Sequence, residues 1–211
     1  IYHQKLKTLI PEQIDTKWNN YIKFVSYSGA NATLRKYITQ LAGTFLKSSF
    51  SKFLITDFIK KYNINFNKYN NIEYESFNDF FTRRLITLPD VIDSNNIIRS
   101  PCTSRTMVYP SINQDNFTSW IKGSEFTISN LIGVNNVTIN SMMINRLAIQ
   151  DYHHFHMPCT GTLENITIFG SDYHSVSPSI INTPINVFTD NYRHIYQFKE
   201  ADGNIFFIVA I

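Results

Sequence analysis

The chain has 211 residues, a formal net charge of +3 and two cysteines, Cys102 and Cys159. The small net charge gives no strong field for nucleic acid, and no basic run with interleaved aromatic residues occurs, so we expect no nucleic-acid partner. Two cysteines make neither a disulfide framework nor a zinc pattern. No apolar stretch of the sequence is long enough to span a bilayer. The length suits one ample domain or a domain with an appendage.

The first third of the chain has the spacing of amphipathic helices. One set of apolar residues precedes a break at Ser48-Ser49 and a second set follows it. These are Leu34, Ile38, Leu41, Phe45 and Leu46, then Phe50, Phe53, Leu54, Phe58 and Ile59. Lysines and arginines are interspersed with them. Helices of this kind lie on anionic membrane surfaces in some proteins and pack on their own domain in others. We predict a helical, membrane-facing segment over residues 1–86.

A shorter helix is predicted over residues 76–85, which read SFNDFFTRRL. Ser76 is of a residue type that favours the N-cap position. Its phenylalanines are expected to lie in the core rather than against lipid. The paired Arg83 and Arg84 suit either the end of a helix or contact with lipid headgroups.

From about residue 97 the sequence changes to short β-branched runs separated by turn residues. The predicted strands are 106–109, 126–128, 137–139, 146–149, 163–169, 194–198 and 205–211. This spacing is typical of an antiparallel β-sandwich or barrel. The predicted fold class is therefore α+β, with N-terminal amphipathic helices followed by a β-rich domain over residues 87–211. Because the last run is nearly all apolar, we expect a buried strand and a chain that continues beyond Ile211.

Residues 151–158, which read DYHHFHMP, place three imidazoles, two aromatic rings and a carboxylate in one short run. Imidazole is the side chain that changes charge near neutral pH. If the preceding apolar run continues as a strand, His154 and His156 share a face and His153 points the other way. A turn after Asp151 would instead bring His153 and His156 together. A metal site, a catalytic site and hydrogen-bonded core histidines all remain open from this stretch. Because the spacing is not a helical His-x-x-x-His and no Cys or Glu group completes it, we predict no metal.

Six segments, in this order along the chain, resemble the phosphatidylserine decarboxylase family. They are FNDFFTRRL at 77–85, SPCTSR at 100–105, Lys122-Gly123 with Leu131-Ile132-Gly133, DYHHFHMPCTG at 151–161, Val176-Ser177-Pro178, and VFTDNYR at 187–193. The resemblance covers roughly residues 30–211.

The resemblance implies a pyruvoyl enzyme that converts phosphatidylserine to phosphatidylethanolamine and carbon dioxide in phospholipid biosynthesis. In this family a proenzyme cuts itself at a serine in a Gly-Ser-Thr motif, and that serine becomes the pyruvoyl group at the N-terminus of a small α chain. The substrate amine forms a Schiff base with the pyruvoyl carbonyl. The protonated imine is then the electron sink as carbon dioxide leaves.

The resemblance also implies roles for single residues. Carried over, His156 is the base that activates the serine for self-cleavage, and His153 serves decarboxylation or reprotonation. His154 is interpreted as structural. The side chains expected to bind substrate are Tyr152, Phe155 and Lys122.

The chain departs from the family pattern in three places. The aspartate of Ser-Pro-x-Asp-Gly, which resembles the orienting acid of a Ser-His-Asp triad, is Thr103, and the following glycine is Ser104. Loss of such an acid typically costs orders of magnitude in rate. The glutamate of Asn-Glu-Arg is Tyr192, and no Gly-Ser-Thr occurs near the end of the sequence. We therefore expect this chain alone to be inactive, with the pyruvoyl group on a separate or missing α chain.

Two interpretations stay open. One is a phosphatidylserine decarboxylase whose C-terminal, α-chain portion lies outside this sequence. The other is a catalytically inactive homologue that acts as a membrane-binding, lipid-binding or interaction protein. The expected partners are a phosphatidylserine-containing anionic membrane surface, an α chain, and a second copy of the chain in a homodimer. Both interpretations place the protein peripherally on a membrane.

Overall fold

The computed structural model describes residues 2–3, 8–9, 32–70, 73–88, 98–112, 127–135, 137–177, 180 and 185–211. Within these ranges the longer helices precede residue 63 and the longer strands follow residue 104. The predicted α+β class is confirmed. A short antiparallel pair, β1 (Tyr2–His3) and β2 (Thr8–Leu9), lies at the start. In the part of the chain described here, no helix is both long and apolar enough to cross a membrane.

The helices of the first third form where the apolar spacing predicts them. They are α1 (Ala32–Lys47), a 3-10 turn (Ser49–Lys52), α2 (Phe53–Tyr62), a second 3-10 turn (Phe66–Lys68) and α3 (Phe77–Phe81). The predicted break at Ser48-Ser49 is confirmed. It is held by the buried hydroxyl of Ser51, which donates to the carbonyls of Leu46 and Ser48 and accepts from the Phe77 backbone N–H.

Helix α3 begins as predicted and ends early. The Ser76 hydroxyl accepts a hydrogen bond from the Asp79 backbone N–H at 3.1 Å, as an N-cap does. The helix stops at Phe81 and not at Leu85. Phe80 is fully buried, so the expectation of a core phenylalanine is confirmed for this residue. The aromatic rings around it belong to Phe58, Phe66, Tyr74 and Phe77.

The later strands form two antiparallel sheets. The first pairs β3 (Arg105–Tyr109) with β4 (Met142–Arg146). The second has the order β5-β6-β7, from β5 (Thr162–Phe169), β6 (Arg193–Lys199) and β7 (Ile205–Ala210). Neither sheet closes into a barrel within the described ranges. The predicted antiparallel pairing is therefore confirmed, whereas the barrel is not found.

Two predicted strands are wrong and a third is displaced. Ile128 begins a helix, α4 (Ile128–Ile132), because the Thr127 hydroxyl caps the Asn130 backbone N–H. Residues 137–139 form no strand. The strand predicted at 146–149 lies at 142–146, because a turn follows it. Helix α4 ends at Gly133 in the left-handed region, where an added Cβ would strike the Phe169 ring.

The core of the β-rich part lies between α4 and the three-stranded sheet. Ile128, Ile132 and Ile195 are buried together, with Phe169 and Val209 packed against them. Strand β7 is only half-buried, contrary to the prediction of a buried strand. In the sheet as described it pairs with β6 alone. A further short helix, α5 (Val187–Asp190), precedes β6.

Candidate functional site

The histidine segment, defined here as residues 152–157, is extended and belongs to neither sheet. The ring of Tyr152 lies 4.9 Å from that of His154 and 5.6 Å from that of His156, so these three residues share a face. The His153 imidazole instead lies flat on the Phe81 ring of α3, with centroids 4.1 Å apart. His154 and His156 therefore share a face, as predicted, although the preceding apolar run ends in a turn and does not continue as a strand. His153 and His156 contact different neighbours, Phe81 and Tyr152 respectively.

A tight turn sets the start of this segment. The Asp151 backbone N–H donates to the Ala148 carbonyl at 2.9 Å, and the Asp151 carboxylate accepts from the Ala148 backbone N–H at 2.6 Å. The acid of the Asp-Tyr-His motif is thus engaged with the backbone. The Asp151 carboxylate thereby closes the turn from which the histidine segment begins.

His153 is partly buried, and its surroundings favour the neutral imidazole. Burial lowers its pKa, because the charged ring loses water, and the positive charge of Arg83 acts in the same direction. The Ile149 carbonyl, 3.4 Å from Nε2, and the Asp151 carboxylate oppose the shift without cancelling it. A neutral ring at neutral pH can accept a proton.

His156 is fixed through both its backbone and its ring. Its backbone N–H donates to the Pro101 carbonyl at 2.7 Å, and its Nε2 lies 3.1 Å from the Tyr152 hydroxyl. Burial raises the pKa of Tyr152, so this hydroxyl stays protonated and can donate to Nε2. In the neutral ring the proton then lies on Nδ1.

The Ser100–Arg105 segment runs beside the histidine segment, as a second hydrogen bond from Arg99 N–H to the Pro158 carbonyl confirms. Thr103, at the position of the family's acid, is exposed and makes no side-chain hydrogen bond to either imidazole within the described ranges. The neighbouring hydroxyls of Ser104 and Thr106 instead donate to the side-chain carbonyl of Asn145 at 3.0 and 2.9 Å. Position 103 therefore supplies no carboxylate where a Ser-His-Asp triad would need one.

The predicted substrate-binding residues have different environments. Tyr152 is only 5% exposed, whereas Phe155 is exposed and its ring lies 5.6 Å from that of Tyr196. Lys122 lies outside the described residues. In those residues no group of three or more histidines, cysteines or acids is placed to hold a metal ion, so the three histidines do not converge as a metal site would require.

The role of Arg83 is the feature that the sequence analysis missed. Its guanidinium is buried and donates to the carbonyls of Gln150 and Asp151, so it does not contact lipid headgroups. The aromatic residues before it were the available signal, because a guanidinium can be buried against ring faces.

A cleft of about 240 Å³ opens beside Arg83, and His154 is among its lining residues. Neither His153 nor His156 lines it. The cleft lacks the two imidazoles, so the candidate site lies at the histidine segment and not in the cleft.

Comparison with known proteins gives one consistent family. The family model described as phosphatidylserine decarboxylase matches residues 77–211. Phosphatidylserine decarboxylase proenzyme 2 of Saccharomyces cerevisiae is 32% identical over 92% of this chain and 18% of its own length. The proenzyme of Clostridium botulinum is 35% identical over 80% of this chain and 59% of its own, and that of Clostridium beijerinckii is 32% identical over 94% and 71%.

The chain spans less than two thirds of the length of several of these relatives, 18% for the yeast protein and 59% for the Clostridium botulinum protein. The matched region nevertheless contains α3, the Ser100–Arg105 segment and the histidine segment, which the structure brings together. With more than half of its residues matched by the family model, the chain belongs to the phosphatidylserine decarboxylase family.

Proposed function

We propose that this chain carries the acid–base residues of a phosphatidylserine decarboxylase, which converts phosphatidylserine to phosphatidylethanolamine and carbon dioxide. The observation that carries the proposal is the pair of imidazoles, His153 and His156, on one segment that ring contacts and backbone hydrogen bonds hold in place. In this reaction a carbon–carbon bond to the carboxylate breaks and a proton takes its place on the same carbon. Imidazole is suited to deliver or accept that proton near neutral pH.

The cofactor of such a reaction would be a pyruvoyl group on an α-chain segment, as membership of the family implies. When present, that group supplies an electrophilic carbonyl and an electron sink. The residues of this chain fit it: the neutral His153 can hold a proton at Nε2 or Nδ1, and the exposed Phe155 offers an apolar wall. The Tyr152 hydroxyl orients His156.

The environment of His153 bears on how the two imidazoles divide the work. Burial lowers the pKa of His153, so its ring is available in the neutral form at neutral pH but is a weaker base than an ordinary imidazole. We therefore keep the division implied by the resemblance, in which His156 is the base in self-cleavage and His153 serves decarboxylation or reprotonation. Measuring self-cleavage and turnover separately in His153→Gln and His156→Gln tests which histidine serves which step.

The experiment uses the full-length protein with phosphatidylserine vesicles. Denaturing mass spectrometry with a carbonyl-reactive probe reports self-cleavage and the pyruvoyl group, and lipid analysis reports phosphatidylethanolamine. We expect two chains and product from the wild type, and a loss of about 100-fold or more in one readout for each variant. His194→Gln, which removes an imidazole from β6, should keep both readouts. A single uncut, probe-silent wild-type chain that releases no product would overturn the proposal.

A second candidate is a lipid-binding homologue without turnover. Two observations favour it: Thr103 supplies no carboxylate to either imidazole, and Tyr192 replaces the family's glutamate. Binding to phosphatidylserine vesicles by a chain that stays uncut would support this alternative.

Both candidates use the same proposed membrane surface, which we define as the exposed apolar residues of α1 and the following 3-10 turn and α2. On α1 they fall three and four residues apart, which places them on one stripe. The members are Leu34, Tyr37, Leu41, Phe45, Phe50 and Phe53. The exposed lysines nearby, Lys36, Lys47 and Lys52, suit an anionic lipid surface. A homodimer formed through the same stripe is the competing occupant, which the molecular mass in solution would reveal.

A further inference from the structure

Arg83 carries a buried positive charge with no carboxylate partner in the described part of the chain. Its side chain is 1% exposed, and its Nε atom has no hydrogen-bond partner there. The guanidinium carbon lies 4.6 Å from the centre of the Tyr69 ring and 5.3 Å from that of Phe80, and these ring faces stabilise the cation. A buried charge costs free energy unless it is paired or hydrogen-bonded. The hydrogen bonds that the Arg83 guanidinium makes are therefore the feature to explain.

Those bonds tie α3 to the start of the histidine segment. Nη2 of Arg83 donates to the carbonyls of Gln150 and Asp151 at 2.7 and 3.0 Å, and Nη1 lies 3.4 Å from the Phe81 carbonyl. Gln150 and Asp151 immediately precede Tyr152. One guanidinium therefore joins the end of the helix to the turn from which the imidazoles extend.

Two neighbours of Arg83 hold the same segment. The Thr82 carbonyl lies 2.9 Å from Nε2 of His154, and the Phe81 ring stacks on His153. Three consecutive residues at the end of α3 thus contact residues 150–154. An extended segment that pairs with no strand depends on such outside contacts to keep its side chains in place.

We propose that Arg83 is a positioning residue that fixes the backbone of Gln150 and Asp151 and thereby sets the place of His153 and His156 for proton transfer. The inference rests on the function proposed above for those imidazoles. Arginine suits this work because its planar fork donates to several carbonyls at once, whereas lysine offers a single ammonium on a flexible stem. A displacement of about 1 Å at a reacting group can cost about 100-fold in rate.

The test compares Arg83→Lys and Arg83→Met with Arg84→Met in the full-length protein. Arg84 is the matched control, because it is the adjacent arginine and it is exposed. Three quantities are measured: the thermal unfolding midpoint, the kcat and KM for phosphatidylethanolamine release, and the pH dependence of His153 modification by diethyl pyrocarbonate. Peptide mass spectrometry locates the modified histidine. Since only the neutral ring reacts, the midpoint of this pH profile reports the pKa and the plateau rate reports accessibility.

In both Arg83 variants we expect His153 to react severalfold faster at its plateau, with the midpoint moved up toward the ordinary imidazole value. The reason is that release of the segment from α3 removes the burial that now lowers its pKa. We expect kcat to fall by about 100-fold with little change in KM. Arg84→Met should change none of these quantities. Arg83→Lys is the deciding variant if Arg83→Met does not fold, because it keeps the charge and loses the fork.

A folded Arg83→Lys protein in which His153 keeps the wild-type plateau and midpoint would overturn the inference, whether or not the protein decarboxylates. If the wild type releases no phosphatidylethanolamine while Arg83→Lys still changes the His153 profile, Arg83 positions the segment and the decarboxylase proposal alone fails. The chemical modification therefore separates the two failures.

Discussion

The imidazole of His153 lies on the ring of Phe81, with the two planes 26° apart and their centroids separated by 4.1 Å. This contact joins the aromatic end of α3 to the histidine segment, two stretches separated in sequence by more than half of the β-rich part. The Phe81 ring covers one face of the imidazole, and burial lowers the pKa of His153.

Replacing Phe81 by leucine should raise the pKa of His153 toward its ordinary value. The smaller side chain covers less of the imidazole, so the charged form regains water. The pH profile of His153 modification by diethyl pyrocarbonate is the measurement. Phe66→Leu is the control, because Phe66 packs on Phe80 in the same aromatic cluster and has no recorded contact with His153. An unchanged His153 midpoint in Phe81→Leu would mean that burial by other residues sets the pKa.

Arg193, in the Asn-Tyr-Arg segment, should be a main contributor to stability. Its guanidinium is buried and donates to four carbonyls, two from the end of α4 and two beside α5: Leu131 at 2.9 Å, Asn130 at 2.7 Å, Thr189 at 2.5 Å and Asn191 at 3.3 Å. A cation at the end of a helix also complements the helix dipole. Arg193→Met should lower the free energy of unfolding by about 3 kcal/mol, because the carbonyls lose their donors.

Denaturant unfolding measures this change. Lys199→Met is the matched control, since Lys199 lies on the same strand and is exposed, and its effect should stay within about 0.5 kcal/mol. Arg193→Lys should recover only part of the loss, because one ammonium does not reach all four carbonyls. A loss of stability in Lys199→Met as large as in Arg193→Met would contradict this account.

The secondary structure of the first third could be predicted because the spacing of apolar residues along a helix is a local feature of the sequence. The apolar period gave α1 and α2, and the N-cap at Ser76 gave the start of α3. The helix at Ile128 could not be separated from a strand by composition, since β-branched residues suit both when a cap such as Thr127 is present.

The candidate site was predictable only in part. Sequence alternation left two arrangements for the imidazoles, and the ring contacts of Tyr152 with His154 and His156 decide between them, although the preceding run turns at Ala148–Asp151 and does not continue as a strand. The burial of Arg83 was beyond local reasoning, because its acceptor carbonyl on Gln150 lies 67 positions away in the sequence. A hydrogen-bond partner so distant in the sequence produces no hydrophobic periodicity and no capping residue from which it could be predicted.

The proposed membrane surface predicts a loss of lipid binding in one double variant. Phe50 is 82% exposed and Phe53 is 67% exposed, so Phe50→Ser combined with Phe53→Ser should leave folding unchanged. Binding to phosphatidylserine-containing vesicles should weaken by about tenfold or more, because burial of each phenylalanine contributes about 1.5–3 kcal/mol. Vesicle co-sedimentation measures it. Leu163→Ser, on an exposed position of β5, is the control. Wild-type binding by the double variant would locate the lipid contact elsewhere.

Asp172 links α1 to the segment after β5. Its carboxylate accepts from Arg35 at 2.6 Å (Nε) and 2.5 Å (Nη2), and it lies 3.3 Å from Nε2 of His174. The hydrogen bond from Arg35 lowers the pKa of Asp172, so the stability from this pair is present above the unfolded pKa of about 4 and is lost as pH falls through the lower folded value.

His174 adds a second loss in the same direction, at higher pH. Burial lowers its pKa, so the unfolded chain, with a pKa of about 6.5, binds a proton before the folded chain does. The free energy of unfolding should therefore fall as pH drops below about 6.5, with a slope of at most about 1.4 kcal/mol per pH unit from this residue. Denaturant unfolding across a pH series measures it. His174→Gln should flatten the slope between about pH 6.5 and the folded pKa of His174. If His174→Gln retains the full slope, the acid sensitivity arises from other groups.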